Sequence, residues 1–402
     1  MKKRFSILVL ISAMLISALI AVLVTFGFTY NFVRDRLGEG ESGNILDDMD
    51  MLKAVDNAYR NYYYGELDPE AIEEGLIAGY LYGTGDSYAE YMDAERVEEY
   101  SADAKGESVG IGVSVGYNDE YSMLVILDVI PGSPAEEAGV MSGDMISVVA
   151  GVDATEMTYY EVLSAMAGEA GTVADFTVKR GEESIDFSIT RRKLIQQNAR
   201  GRMYADGITG IIRIAEFDAT TPSQFKSELA RLQGEGAQRF VFDLRNNPGG
   251  ELESVLEILD FLLPEGPIIR IFTKDGIESD RRMSDADCFE ADMAVIINEE
   301  TASAAELFAS ALKDYNLATL VGKTSYGKGS MQTIVSLIEG SALRVTYRMY
   351  SPPYSDSYDG VGVVPHIDVD MAEDVRDISL YRITDEQDTQ LIAAIGSFEN
   401  DN

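Results

Sequence analysis

The stretch MAVIINEETASAAE, residues 293–306, indicates a buried strand that turns sharply into a helix. Its first five residues are all apolar, without the alternation of a half-exposed strand, which is typical of a strand covered on both faces. Its second half contains Ser303 followed three residues later by Glu306, the capping-box signature of a helix N-terminus. This junction predicts an α/β domain around it.

Alternating strands and helices continue on the N-terminal side of this junction. We predict strands over 210–214, 239–244, 268–273 and 293–298, with helices over 223–232, 252–262 and from the junction to Tyr315. Between Gly106 and Arg192 the pattern changes to short strands punctuated by glycine, such as 123–129, 145–150 and 174–178. A small β-rich domain is therefore predicted ahead of the α/β domain.

The N-terminus carries a long apolar segment. Residues 5–28 contain no charged side chain, and at about 1.5 Å per residue a helix over them exceeds the roughly 30 Å hydrocarbon layer. We predict a membrane anchor here, because a cleaved secretory signal would have a shorter apolar region and a small-x-small cleavage site. The basic cluster at residues 2–4 should stay in the cytoplasm, so everything after Arg36 is expected outside it.

Composition excludes several classes of protein. A net charge of −37 argues against nucleic acid as a partner. The single cysteine, Cys288, cannot form an internal disulfide or a cysteine-rich zinc site. The single histidine, His366, excludes a metalloprotease site of the HExxH kind. We therefore expect neither a metal nor another cofactor.

Ser303 has two interpretations that share one geometry. Local sequence alone favours a plain N-cap. A serine at a helix start is also well placed as a nucleophile, because the next amide points outward and the helix dipole favours a developing oxyanion. Such a serine needs a base. A Ser-His-Asp triad through His366 is the weaker alternative, since no glycine-rich loop surrounds this histidine.

The better candidate base is Lys328, in the segment YGKGSMQ at residues 326–332. Glycines on both sides let the backbone approach other segments closely. A lysine base must be neutral, so burial must lower its pKa from about 10.4 toward about 7–8. Gln332 can accept a hydrogen bond from the amine without adding negative charge. Lys323 is the rival base, but it lacks the two flanking glycines.

These segments, together with DLRNNPGG at residues 243–250, resemble the active-site motifs of the carboxyl-terminal processing peptidases, also called tail-specific proteases. The resemblance extends from residues 85–92 to residues 360–366. It departs at Ser87, where the family commonly has proline, and at His366, where it commonly has an acid. The resemblance implies a catalytic site of Ser303, Lys328 and Gln332, with an oxyanion hole formed by the amide of Ala304 and that of Gly249 or Gly250.

The β-rich region resembles a PDZ domain through GIGV at 110–113, PGSPAEEAGV at 131–140 and SGDMI at 142–146. PDZ domains add a peptide to a sheet edge and hold its terminal carboxylate in a loop of backbone amides. The resemblance implies that this loop is Gly110, Ile111 and Gly112.

The implied architecture is an α+β multidomain chain. Its parts are a transmembrane anchor (1–36), a linker and helical arm (37–105), a PDZ domain (106–192), a crotonase-like α/β serine protease core (193–370) and a helical tail (371–402). The implied function is a single-pass, extracytoplasmic serine endopeptidase that cleaves proteins near their free C-termini, with the PDZ domain as recognition module and gate. An inactive PDZ scaffold and a non-proteolytic acyl hydrolase are the alternative functions that the sequence leaves open, and a homodimer is a partner that it allows.

Overall fold

The computed structural model describes residues 49–118, 123–373, 375, 380 and 383–399. The predicted anchor over residues 1–36 lies outside the described residues. Within the part that is described, no helix has both the length and the apolar character needed to cross a bilayer. The chain divides into two compact units, Met1–Leu76 and Ile77–Asn402. The domain boundaries given above stay predictions.

Helices dominate the described part before the β-rich region. Helix α1 (Asp50–Tyr62) buries none of its residues. Helix α2 (Pro69–Thr84) starts with proline, and the Asp68 carboxylate accepts hydrogen bonds from the amides of Glu70 and Ala71 at 3.0 and 3.3 Å. This N-cap satisfies two amides that the helix cannot pair internally, and proline suits the first helical position because it has no amide hydrogen to pair. The short strand β1 (Glu90–Met92) and helix α3 (Ala94–Ala104) follow.

The next region is an antiparallel β domain with its own apolar core, in which Ile126, Ile146 and Val178 are fully buried. Its main sheet has the strand order β3-β4-β5-β7-β8, with β6 paired to β5, while β2 pairs with β9. The predicted strands over 123–129, 145–150 and 174–178 are confirmed. The bounds are β2 (Glu107–Gly110), β3 (Val113–Asn118), β4 (Met123–Val129), α4 (Pro134–Glu137), β5 (Met145–Val149), β6 (Val152–Asp153), α5 (Tyr159–Met166), β7 (Val173–Arg180), β8 (Glu183–Thr190) and β9 (Arg192–Ile195).

The larger domain is built on a mostly parallel sheet with the strand order β10-β11-β12-β15-β16-β19. Strand β10 is antiparallel to β11, and the other pairs in this sheet are parallel. The bounds are β10 (Ala199–Met203), β11 (Thr209–Ile214), α6 (Thr221–Glu235), β12 (Arg239–Asp243), α7 (Leu252–Leu262), β13 (Gly266–Phe272), β14 (Glu278–Ser284), β15 (Asp292–Ile297), α8 (Ala304–Asp314), β16 (Ala318–Gly322), β17 (Ser330–Ser336), β18 (Ala342–Ser351), β19 (Ile367–Asp368) and α9 (Thr389–Ser397).

The predicted alternation of strands and helices is confirmed, with one difference in topology. The segment predicted as a strand over 268–273 does form β13, but it joins a second sheet with the order β1-β18-β13-β14, to which β17 is added through β18. Strand β1 therefore brings a segment from before the β-rich domain into contact with strands that follow it. This long-range pairing could not be read from local periodicity.

Both faces of the parallel sheet are covered. On one face, Phe225, Leu259 and Phe308 of helices α6, α7 and α8 belong to a core cluster with Phe242. On the other face, residues of α9 pack with Val241 and Ile296. This layering explains the continuously apolar strands, because each fully buried large side chain contributes about 1.5–3 kcal/mol. Strands β12 and β15 are parallel neighbours, so the turns that follow them leave from the same edge of the sheet.

Candidate active site

The turns after β12 and β15 are bound to each other by hydrogen bonds. The hydroxyl of Thr301 donates to the carbonyl of Leu244 at 2.9 Å, and the amide of Ala302 donates to the carbonyl of Asn247 at 2.9 Å. Gly249 has φ 104°, and a β-carbon placed on it would lie 2.8 Å from the β-carbon of Ser303. Only glycine allows this approach without displacement. The turn after β12, which contains Gly249 and Gly250 and is called the glycine turn below, therefore lies directly against the turn after β15 that contains Ser303, the Ser303 turn.

Ser303 occupies the N-cap position of α8 with a strained backbone. Its φ and ψ are 54° and −117°, whereas an ordinary N-cap residue has extended backbone. A non-glycine residue in such a region costs about 1–3 kcal/mol and is typical of functional sites. The Ser303 amide donates to Glu306 Oε2 at 2.8 Å. The predicted junction is thus confirmed, with a conformation that a plain cap does not need.

Lys328 is held between its two glycines, as the sequence suggested. A β-carbon on Gly327 would lie 2.9 Å from the amide nitrogens of Val361 and Gly362, and the Gly329 amide donates to Asp359 at 2.8 Å. Lys328 is half-buried. Burial lowers the pKa of its amine, and Arg344 lowers this pKa further, against the opposing charges of Glu306 and Asp86. This direction is the one that a neutral lysine base requires.

Glu306 connects the Ser303 turn to the Lys328 loop. Its fully buried carboxylate accepts hydrogen bonds from the Ser303 amide at 2.8 Å, the Ser325 hydroxyl at 2.5 Å, the Gly327 amide at 2.6 Å and the Lys328 amide at 2.7 Å. Burial raises the pKa of this carboxyl, while the hydrogen bonds act in the opposite direction. The sequence identified Glu306 only as half of a capping box, and its local signature gave no sign of the contacts with residues 325–328.

Ser303, Lys328 and Gln332 line one cavity of about 380 Å³, together with Ala304 and Gly250. The amide nitrogen of Gln332 donates to Ser330 at 3.1 Å and to Thr346 at 3.2 Å. The structure therefore brings together the three side chains that the sequence selected. Their catalytic roles stay predictions.

Gly249 and Gly250 are both candidates to donate an amide to the oxyanion hole, but one of these amides already donates a hydrogen bond within the protein. The Gly249 amide donates to the side-chain oxygen of Asn247 at 2.8 Å, within the turn. Gly250 has φ 125° and lies against the carbonyl of Phe217. Because Gly250 lines the cavity beside Ala304, it is the better candidate of the two.

Two buried tyrosines that the sequence analysis missed support the backbone on either side of the cavity. The Tyr350 hydroxyl donates to the carbonyl of Lys328 at 2.9 Å, and the Tyr358 hydroxyl donates to the carbonyl of Ser303 at 3.4 Å. Their rings pack edge to face with centroids 5.8 Å apart. Burial raises the pKa of both hydroxyls, which keeps them protonated as donors. No motif around either residue marks it.

A buried ion pair lies beneath the glycine turn. Arg245 donates to Asp243 at 2.7 and 2.9 Å and to both carboxylate oxygens of Asp388 at 2.9 and 2.8 Å. Asp243 is buried, which disfavours its charge, but Arg245 and Arg213 outweigh this and lower its pKa to about 2. Asp388 is the N-cap of α9, so the C-terminal helix is bound to this turn. The sequence analysis did not identify Asp388.

Neither rival base is in the cavity. The Nδ1 atom of His366 accepts a hydrogen bond from the Leu320 amide at 2.9 Å, and burial lowers the pKa of this histidine. Lys323 forms ion pairs with Asp368 at 2.7 Å and Asp370 at 3.3 Å, which raise its pKa. His366 is therefore a structural or exposed histidine outside the cavity, and Lys323 is paired with two carboxylates outside it.

In the β-rich domain, the candidate carboxylate loop directly precedes an edge strand. Strand β3 pairs with β4 on one side and stands at the end of its sheet. The carbonyls of Ile111 and Gly112 accept from the amides of Ala135 and Ile130, both at 2.9 Å, and the Ile111 side chain is buried in the domain core. Gly112 has φ 87°. With Gly110, these residues have the location that strand addition requires, and their role stays a prediction.

Comparisons with known proteins agree with this organisation. Residues 208–369 match peptidase family S41, and residues 125–180 match a PDZ domain. A protein of Staphylococcus aureus strain COL, named as a CtpA-like serine protease, is 29% identical over 376 residues, which is 92% of this chain and 73% of that protein. A solved S41 protease structure from Bacteroides fragilis aligns with TM-score 0.54 at 18% identity, covering 85% of this chain and 92% of the other. The structure of a photosystem II D1 C-terminal processing protease aligns with TM-score 0.49 at 26% identity, covering 79% and 86%.

Proposed function

We propose that the chain, which matches peptidase family S41 over residues 208–369 and a PDZ domain over residues 125–180, is a serine-type peptidase that cleaves proteins near their C-terminal tails. The observation that carries the proposed site is the arrangement around Glu306. One buried carboxylate binds both the Ser303 amide and the Lys328 amide, and both side chains line the same cavity. A scaffold that had lost catalysis would have no need to keep this arrangement.

In the proposed reaction, Ser303 Oγ attacks the scissile carbonyl while the neutral amine of Lys328 takes its proton. The amides of Ala304 and Gly250 stabilise the oxyanion of the tetrahedral intermediate. Lys328 then gives the proton to the leaving amine, and the acyl group stays on Ser303. Water, deprotonated by Lys328, attacks this ester, the acid product leaves, and Lys328 returns the proton to Ser303 Oγ. Burial of Lys328 supports the scheme, since it lowers the pKa of the amine, which is the direction that a neutral base requires.

We assign Gln332 the role of orienting the lysine. Its amide nitrogen has two acceptors, Ser330 and Thr346, which leaves its carbonyl oxygen as the group to receive the Lys328 amine. An orienter does not exchange protons with the substrate. Gln332→Ala should therefore retain more activity than Ser303→Ala or Lys328→Ala, measured as kcat/KM on one unstructured peptide.

We propose that the PDZ domain recognises the substrate tail and gates the active site. The position of β3 at the end of its sheet and the loop at residues 110–112 support this role, because together they provide a terminal strand and backbone amides for a carboxylate. A ligand can open the site only through a higher affinity for the open state. The test compares one unstructured substrate with its natural C-terminus, the same chain amidated and the same chain ending in two aspartates. Equal rates on all three would remove the tail-recognition proposal and leave the chemistry untouched.

We further propose that residues 1–36 anchor the protein in the cell membrane with residues 37–402 outside the cytoplasm. The support is the charge-free segment over residues 5–28 after a basic cluster. Protease added to intact spheroplasts should digest the catalytic body. Full protection of the body until lysis would contradict this topology.

The experiment that tests the proposed function is incubation of the purified protein with an unstructured protein. Wild type should release fragments whose ends lie near the substrate C-terminus, and Ser303→Ala should not. Lys323→Arg is the matched control for Lys328→Arg, because Lys323 lies in the same segment of chain but forms surface ion pairs. Full activity of Ser303→Ala would overturn the proposed site.

A further inference from the structure

The segment from Asp86 to Glu90 lies before the PDZ domain in sequence, yet it contacts the candidate base. The Lys328 Nζ atom lies 4.5 Å from the centroid of the Tyr88 ring. This is within the distance at which an ammonium is attracted to the face of an aromatic ring. Tyr88 is half-buried, so the contact is partly shielded from water. Tyr88 is therefore placed to act on the lysine while contributing no proton to the reaction.

Asp86 acts on Gln332 through one intermediate residue. Its carboxylate accepts from the Thr346 amide at 2.8 Å and from the Thr346 hydroxyl at 2.9 Å. A carboxylate only accepts, so the single hydroxyl proton of Thr346 points at Asp86. The same hydroxyl oxygen must then accept from Gln332, at 3.2 Å. This polarity fixes which end of the Gln332 amide faces Thr346, and it turns the carbonyl oxygen away from Thr346.

Glu90 completes the contacts of this segment. Strand β1 pairs with β18 so that Glu90 lies opposite Arg344, and the two side chains form an ion pair at 2.6 Å. Arg344 also donates to the carbonyl of Tyr88 at 3.4 Å, and it lines the cavity with Lys328. The segment therefore holds a second cation at a fixed place near the lysine.

We propose that Tyr88 and Asp86 are positioning residues for the base: Tyr88 holds the Lys328 amine against its ring, and Asp86 orients Gln332 through Thr346. This inference rests on the proposed role of Lys328. The ring face favours the charged amine, which is the form that Lys328 takes between accepting the serine proton and giving it to the leaving group. Tyr88 therefore stabilises the intermediate stage of the reaction, while burial keeps the resting amine able to lose its proton.

The charged groups around Lys328 set the sign of the expected pH effect. Arg344 disfavours the charged amine, Glu306 and Asp86 favour it, and burial disfavours it most. The ring of Tyr88 also stabilises the charged amine. Replacing Tyr88 by leucine removes the ring and keeps an apolar side chain of substantial size, so burial changes little. The charged form of Lys328 should then become less stable.

The test is the pH profile of kcat/KM for wild type, Tyr88→Leu and Tyr88→Phe. Tyr88→Leu should lower the midpoint of the rising limb by roughly half a unit, which corresponds to about 0.7 kcal/mol at 1.36 kcal/mol per unit. Tyr88→Phe keeps the ring and should leave the midpoint unchanged. The same shift should occur when the Lys328 amine is titrated directly by NMR in the Ser303→Ala background. An unchanged midpoint in Tyr88→Leu would overturn the role of Tyr88.

Thr346→Val tests the proposed role of Asp86, because it removes the hydroxyl that connects Asp86 to Gln332 and keeps the size of the side chain. It should lower kcat about as much as Gln332→Ala, and combining the two should cause no further loss. Wild-type kcat in Thr346→Val would overturn the role of Asp86. Activity of Ser303→Ala would instead refute the proposed function, so the two failures are distinguishable.

Discussion

Replacing Glu306 by glutamine is the substitution for which the structure gives the clearest magnitude. Each carboxylate oxygen of Glu306 accepts two hydrogen bonds: one from Ser325 and Gly327, the other from Ser303 and Lys328. A glutamine amide has one oxygen, so two of the four donors must face an NH₂ group. If this group faces Ser325, the hydroxyl can turn to accept, which leaves the Gly327 amide without an acceptor.

An unsatisfied buried donor costs about 1–3 kcal/mol, and the two remaining bonds lose their charge assistance. Removing a buried charge offsets part of this loss. We therefore expect Glu306→Gln to lower the free energy of unfolding by about 1–3 kcal/mol at pH 7. The effect on the catalytic rate should be larger than the effect on stability. A displacement of about 1 Å between nucleophile and base can cost roughly 100-fold, so kcat/KM should fall by about that factor.

The assay combines kcat/KM on an unstructured fluorogenic peptide with thermal unfolding of the same preparation. The loss should lie mainly in kcat, because Glu306 is buried behind the cavity and does not line it. Glu300→Gln, at an exposed position in the same turn, is the matched control and should change neither quantity. A kcat/KM for Glu306→Gln within threefold of wild type would refute the reasoning that this carboxylate aligns the two catalytic segments.

Three further predictions concern neighbouring parts of the site. Activity should rise with pH through an apparent pKa below about 10.4, because the neutral amine of Lys328 is the active form and burial lowers its pKa. Lys328→Arg should be inactive at every pH measured, whereas Lys323→Arg should be fully active. Gly249→Ala should lose activity and about 2 kcal/mol or more of stability in a urea titration, since its β-carbon would lie 2.8 Å from that of the candidate nucleophile at φ 104°. Asp388→Ala should lower the free energy of unfolding by about 3 kcal/mol, measured the same way, because Arg245 loses one of its two buried carboxylates.

The local pattern of apolar and polar residues was sufficient to predict most strands of the parallel sheet. The helix over 252–262 has the predicted bounds, β11 and β12 differ from prediction by one residue at one end, and β15 is displaced by one residue at both ends. These segments are strongly periodic or continuously apolar, and burial then decides their structure. The junction at Ser303 and the glycines around Lys328 were also readable, because each needs a residue type with a specific backbone property.

What the sequence could not provide are the contacts between distant segments. The capping box with Ser303 was a sufficient reason for a glutamate at position 306, so nothing in the sequence indicated its hydrogen bonds with residues 325–328. Tyr88 lies in residues 85–92, where the family resemblance begins, but it is far along the chain from the catalytic motifs, and so is Asp388. Only strand pairing and helix docking bring the two residues close to those motifs. The second sheet was missed for the same reason, since its order combines strands from both sides of the PDZ domain.

In the proposed mechanism, Ser303 and Lys328 together hydrolyse peptide bonds. The most direct measurement is the mass of every fragment released from one unstructured protein by wild type, Ser303→Ala and Lys328→Arg at equal concentration, with folding of each variant checked by thermal unfolding. The proposed mechanism predicts fragments ending near the substrate C-terminus with wild type and at least about 1,000-fold slower release with either variant. Release by folded Ser303→Ala at the wild-type rate would contradict it.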